Sequence, residues 1–189
     1  MPGDLQSSIV RAWRTNNAVN LQLIEQIPPR LWASEIPGLP RRTVRMIAAH
    51  LHNSRRSWIR TLGSEHGVSV PDRVDPFTVS RRALVAALRR SGRGLEEILQ
   101  MGIDAGGVVP DSRGYVWRNL PLDVAHVLAY FVTHEGHHRG QIVMAARQLG
   151  QRLPRKATGD LWQWSRFAGG ERSRPSRSAA KSASQRPTR

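Results

Sequence analysis

The run His134-Glu135-Gly136-His137-His138 concentrates more potential chemistry than any other stretch of the chain. Residues four apart on an α-helix stand one above the other on the same face. His134 and His138 can therefore aim two imidazoles at one point. Neutral imidazoles converging on a low-dielectric face make a poor core and a good transition-metal site. Two histidines rarely complete such a site, so a third ligand must come from another element. His50 and His52 are the candidates. His50 shares its helical face with Ile47, Leu51, Ser54 and Trp58, an apolar stripe, whereas His52 shares a charged, wetter face with Arg45, Arg55, Arg56 and Ile59. The candidate ligand set is thus His50, His134 and His138, with zinc, nickel, iron, manganese or cobalt as the fitting divalent ions and open positions for water or substrate.

The bland reading of any one of these histidines is a hydrogen-bonded core residue; the i,i+4 pair with a third partner argues against it. His134 and His138 share a stripe with Val127, Phe131, Ile142 and Ala145, and His137 is rotated off it, although an i,i+3 pairing of His134 with His137 stays open. His126 reads as a structural or partly exposed histidine. The same run matches H-E-x-x-H, the zincin protease motif of two ligands and a glutamate base. Its completion fails, because Gln141 and Met144 stand where a metzincin has glycine and histidine, and the only downstream glutamate is Glu171. Glu135 points about 100° away from His134 along the helix, which favours a surface salt bridge over a catalytic base.

Four helical patterns must position these residues. The first follows Asp4, a candidate N-cap, carries Leu5, Ile9, Trp13, Leu21 and Ile24 on one stripe, and ends at Pro28-Pro29. An irregular stretch from Arg30 to Pro40 follows. The second spans about 42–62 with Val44, Ile47, Leu51 and Trp58 inward, and 63–77 reads as loop. The third follows Thr78 or Ser80 with Leu84, Leu88, Leu95 and Leu99 at helical spacing, and Gly92 and Gly94 mark a place where it can bend. A loop over 102–119 has room for a short hairpin. The fourth helix starts at Pro121 and ends near Gly150. This pattern predicts an all-α helix bundle over 1–168 and, over 169–189, a disordered Arg/Ser-rich tail that cannot form a core.

Composition narrows the alternatives. There are no cysteines, which removes disulfides, thiolate metal sites and cysteine nucleophiles. The first residues lack the basic-then-apolar order of a signal peptide, and no apolar run approaches the roughly 20 residues that span a bilayer. A cytoplasmic protein without a membrane segment is expected. The formal charge is +15, of which residues 171–189 supply +5 from five arginines and Lys181 against Glu171. The clusters Arg41-Arg42-Arg45, Arg55-Arg56, Arg81-Arg82 and Arg89-Arg90 read as solvated helix faces, and nucleic-acid association is expected only weakly, through the tail.

The segment Met46 to Trp58 (MIAAHLHNSRRSW) resembles the second helix of the DinB/YfiT-like superfamily, and His134 to Ile142 (HEGHHRGQI) resembles its H-x-x-x-H-R-G-Q signature. Leu161 to Trp164 (LWQW) resembles the end of many such domains, and the likeness covers roughly residues 5–165. The resemblance implies a four-helix bundle with a crossover connection and a divalent metal on His50, His134 and His138. It further implies a homodimer and, from some characterised members, a small-molecule substrate with a low-molecular-weight thiol as co-substrate. A metal-dependent enzyme of thiol-transferase or hydrolase type is the resulting expectation; the alternative is a non-catalytic metal- or ligand-binding protein. Three further residues are candidates for the pocket. Asn17 lies on the first helix's apolar stripe, as pocket group or as buried core amide. Tyr130 precedes His134 by one turn and could line the site, and Gln141 follows His138 by one turn and could orient a ligand or a metal-bound water. Arg139 and Gly140 read as packing residues, the glycine allowing close helix approach.

Overall fold

A computed structural model describes residues 5–168; the expected Asp4 cap and the basic tail at 169–189 lie outside the described residues. Four long helices dominate: α1 (Leu5–Glu25), α3 (Val44–Leu62), α4 (Arg81–Asp104) and α5 (Val124–Gln148). Three of them begin at residues that supply the missing helix-end acceptor. Thr43, Ser80 and Asp123 accept from the backbone N–H of Met46, Ala83 and His126 respectively. The fourth helix thus starts three residues after Pro121, because the Asp123 carboxylate is the better cap.

The stretch from Arg30 to Pro40 is less irregular than its prolines suggest. Pro29–Trp32 forms a short helix, α2, and Glu35–Ile36 (β1) pairs antiparallel with Leu39–Thr43 (β2). Pro37-Gly38 makes the turn, with Gly38 at φ +76°, the left-handed conformation that glycine adopts without strain. The hairpin anticipated within 102–119 reduces to one antiparallel bridge between Val108 and Asp123. After α5, α6 (Arg155–Asp160) and α7 (Trp164–Ala168) fold back on α1. Buried Asp160 anchors them there, accepting from Gln22 of α1 and from Lys156 and Arg166.

Two apolar clusters fill the bundle. One joins Leu23 and Ile24, Ala48 and Leu51, Leu84 and Leu88, and Ile142 and Ala146. The other joins Val10 and Trp13, Ile59 and Leu62, Leu95 and Leu99, and Val127 and Phe131. The first halves of α3 and α4 share one cluster and their second halves share the other, so these helices run in the same direction. Residues 63–80 must then return along the whole bundle, which makes them the crossover connection. Helix α3 is tied to this connection through His52 and Asn53. The His52 ring nitrogens meet Ser91 Oγ of α4 (3.1 Å) and the Asp72 carbonyl (2.8 Å), and the Asn53 amide bonds both the N–H and the C=O of Val74. His52 is therefore fully buried, not on the wet face its neighbours suggest. Desolvation is the main reason its pKa lies below the usual imidazole value.

The stripes are rotated relative to the sequence reading. Leu5 is 77% exposed, while Asn16, Asn20 and Arg55 are completely buried. Arg55 leaves the set of solvated arginines: its guanidinium lies 4.8 Å over the Trp13 ring and forms a bidentate pair with Glu135 (2.5 and 3.0 Å). Gly92 and Gly94 serve close approach, because a Cβ there would come within 2.7 Å of the Asn17 amide and 2.8 Å of Ile59. Asn17 cannot yield freely, since its Oδ1 accepts from Arg55 Nη1 at 2.7 Å. Gly92→Ala is accordingly expected to cost about 1–3 kcal/mol, measured by urea denaturation. A variant as stable as the parent would show that Asn17 can swing away. Gly140 has no atom near enough for a close approach to matter.

Candidate metal centre

Helix α3 delivers His50 and helix α5 delivers His134 and His138, one turn apart. Their Nε2 atoms converge: His50 to His134 is 3.3 Å, His138 to His134 is 3.1 Å, and one nitrogen of each ring lies within 4.8 Å of the others. A metal about 2.1 Å from each nitrogen separates its ligand atoms by about 3.4 Å in a tetrahedron and about 3.0 Å along an octahedral edge. The two spacings to His134 lie between these values. These three residues form a cluster that could hold a metal ion, and it is the cluster of that kind found among the described residues.

The electrostatics suit ligation. The His134 pKa is lowered to about 4, first by burial and then by the neighbouring His138 and His50 rings. Those of His50 and His138 are also lowered, chiefly by desolvation. All three rings are thus neutral at pH 7 and have lone pairs to give. Gln141 Oε1 lies 2.7 Å from His138 Nδ1. An N–H on Nδ1 there leaves the Nε2 lone pair aimed at the centre. Tyr130 stacks on His134, with ring planes 5° apart and centroids at 5.9 Å.

The depressed imidazole pKa has a stability consequence. Unfolded histidines protonate near pH 6.5, whereas His134 in the fold stays neutral to about 4. Above 6.5 neither state binds the proton, and stability is level. As pH falls through 6.5 the unfolded chain binds protons first, so stability should fall. The thermal midpoint of chelator-treated protein is expected to drop between pH 6.5 and 5, and less steeply in His134→Phe. A level midpoint across that range would contradict the burial of these rings.

His50 is exposed and His134 and His138 are half-buried, so the cluster sits at the bundle's rim rather than in its apolar stripe. His50 and His138 line a cavity of about 930 Å³ whose walls are Ile36 and Leu39 of the hairpin, Ile47 of α3 and Met144 of α5. Gln141 and Arg42 line it as well. Asn17 does not; it belongs to the buried hydrogen bonds of Arg55. His137 is exposed, and His126 is also exposed, paired with Asp123 at 2.5 Å.

The residues missed from sequence lie just beneath the histidines. Glu135 is completely buried and makes its salt bridge in the interior, not at the surface. Besides Arg55, its Oε2 accepts from Asn16 Nδ2 (2.5 Å) and Asn20 Nδ2 (2.6 Å). The carbonyl oxygens of those two amides accept from Arg139 Nη1 at 2.8 Å each. A glutamate so engaged cannot serve as the general base of a zincin. The signal available in the sequence is Asn16 and Asn20, an i,i+4 amide pair on a helix face otherwise apolar.

A four-helix bundle that brings three imidazoles to one point at its rim is the class of protein defined by this geometry. The DinB family model matches residues 1–166, and the chain belongs to the DinB family. Comparison with curated proteins returned no match. Among the described residues, no helix is long and apolar enough to cross a membrane.

Proposed function

We propose that this protein is a metal-dependent enzyme of thiol-transferase or hydrolase type, with a divalent transition metal held by His50, His134 and His138. The observation that supports this most is the convergence of three neutral imidazole nitrogens beside a cavity of small-molecule size. When bound, the ion would supply Lewis acidity, which favours the deprotonated form of a thiol or a water. The chain's own residues do the rest. Gln141 fixes the tautomer of His138, Tyr130 holds the plane of His134, and the Ile36, Leu39, Ile47 and Met144 walls shelter an apolar acceptor from water. With no cysteine in the chain, a sulfur nucleophile comes from outside it, and the resemblance implies a low-molecular-weight thiol. The working unit is a homodimer acting on a small molecule, as the resemblance implies.

Elemental analysis of the purified protein should find close to one transition metal per chain. A panel of small thiols with electrophilic acceptors should then show consumption that a chelator stops and added metal restores. Metal retained with no turnover of any thiol or hydrolytic substrate would overturn the enzymatic reading in favour of a binding protein.

A further inference from the structure

A second groove of about 530 Å³, with different chemistry, shares His50 with the apolar cavity. Its walls include Arg56 and Arg60 of α3, Arg73 of the crossover, and the tryptophans Trp58 and Trp117. Arg56 and Arg60 are four apart on one helix, an arrangement of like charges that is unfavourable unless an anion lies between them. None of the three arginines takes part in an ion pair among the described residues. The Arg56 Nε is buried and lacks a hydrogen-bond partner. Asp75 lies in the field of Arg73, but its carboxylate is taken by the Phe77 N–H and the Thr78 hydroxyl. Asn53, also in the wall, is spent on Val74. The guanidinium groups of Arg56, Arg60 and Arg73 thus keep donors for a ligand in the groove, and such groups match phosphate oxygens in geometry as well as charge.

The aromatic wall adds a second requirement. Trp58 is packed among Tyr115, Tyr130 and Phe131, whereas Trp117 is 67% exposed. An indole left open beside unpaired arginines offers a stacking face to a flat ring. We propose that this groove binds a phosphate-bearing small molecule of mononucleotide size, its phosphate on Arg56, Arg60 and Arg73 and its ring on Trp117. Binding in this groove does not require the metal centre to be loaded. Because His50 lines both the groove and the apolar cavity, a ligand seated here has one end beside the three histidines.

Calorimetric titration of the full-length protein with adenosine monophosphate, inorganic phosphate and adenosine tests this. The monophosphate should bind about tenfold more tightly than either fragment, since phosphate contacts and stacking then act together. Arg60→Gln and Arg73→Gln should weaken both phosphate-bearing probes, while Trp117→Ala should weaken the monophosphate and leave inorganic phosphate unchanged. His134→Ala, which empties the metal centre, should leave the monophosphate affinity intact. Loss of binding in a folded His134→Ala protein would place the ligand on the histidines and overturn the groove assignment, whatever the metal results. No binding at millimolar monophosphate would overturn it too. Equal affinity for phosphate and monophosphate, indifferent to Trp117, would reduce the groove to a bare anion site and defeat the proposal. Affinity for single-stranded oligonucleotides that rises with length, uncontested by the monophosphate, would replace it with a nucleic-acid interface.

Discussion

Glu135→Ala should destabilise the protein by about 3–5 kcal/mol, the largest effect expected of any single substitution here. Total stabilities of natural domains run to about 5–15 kcal/mol, so much of the population could unfold at moderate temperature. The carboxylate is completely buried and accepts from Arg55, Asn16 and Asn20 together. Its removal strands the Arg55 guanidinium, also completely buried, with Asn17 and the Leu88 carbonyl as its remaining hydrogen-bond acceptors. An uncompensated interior charge costs far more than the pair contributed, because the charge cannot regain its hydration. Arg55→Met combined with Glu135→Leu should recover part of the loss, since those two charges then leave together while Asn16 and Asn20 still lose their acceptor and Arg139 its nearby carboxylate. Urea denaturation followed by circular dichroism measures both. A single variant within about 1 kcal/mol of the parent would mean that water reaches the pair.

His134→Ala should reduce bound metal at least about tenfold, given that even the outer hydrogen-bond partners of metal ligands are worth 10–100-fold in affinity. His50→Ala and His138→Ala should act alike, because each supplies one of the converging nitrogens. His52→Ala is the informative contrast. It should leave metal content unchanged yet lower stability by about 1–3 kcal/mol, since it removes a fully buried ring and the hydrogen bonds that tie it to Ser91 and the Asp72 carbonyl. His137→Ala, exposed and outside the cluster, should do neither. Elemental analysis beside a thermal melt separates the three behaviours. Equal metal content in His134→Ala and His52→Ala would remove the three-histidine assignment.

Periodicity alone places the four long helices to within a few residues, because each carries leucine, isoleucine or valine at helical spacing over more than four turns. The i,i+4 spacing of His134 and His138 likewise sets their common direction without any knowledge of how the helices pack. Rotation about each helix axis is much less legible. Ranking His50 against His52 by the charge of their neighbours misplaces His52, because Arg55, the residue that makes its face seem wet, is itself buried by Glu135. A sequence shows an arginine and a glutamate separated by 80 residues; only the packing of α3 on α5 turns them into a pair. The Pro37-Gly38 hairpin is hidden for another reason. Two short strands lack the alternation that identifies longer ones, and the turn dipeptide is their one local sign. Gly140 misleads in the opposite sense, since a glycine on a helix permits close approach without requiring it.

The polar layer midway along the bundle also bears on how the helices are indexed against one another. With aliphatic residues above and below it, α1 and α5 could slide by one turn, about 5.4 Å, and still bury leucine against isoleucine. Such a slip would set Asn16 and Asn20 out of step with Glu135 and Arg139, and Arg55 out of reach of its carboxylate. Interior polar groups that match at only one offset act as a vernier, excluding shifted stackings that apolar contact alone would tolerate. His134 adjoins Glu135, and His50 lies five residues before Arg55 on the same helix. The offset that closes the interior pair is therefore the same one that brings His50 within 3.3 Å of His134. A bundle stacked one turn out of step would keep its helices and lose the convergence of its imidazoles.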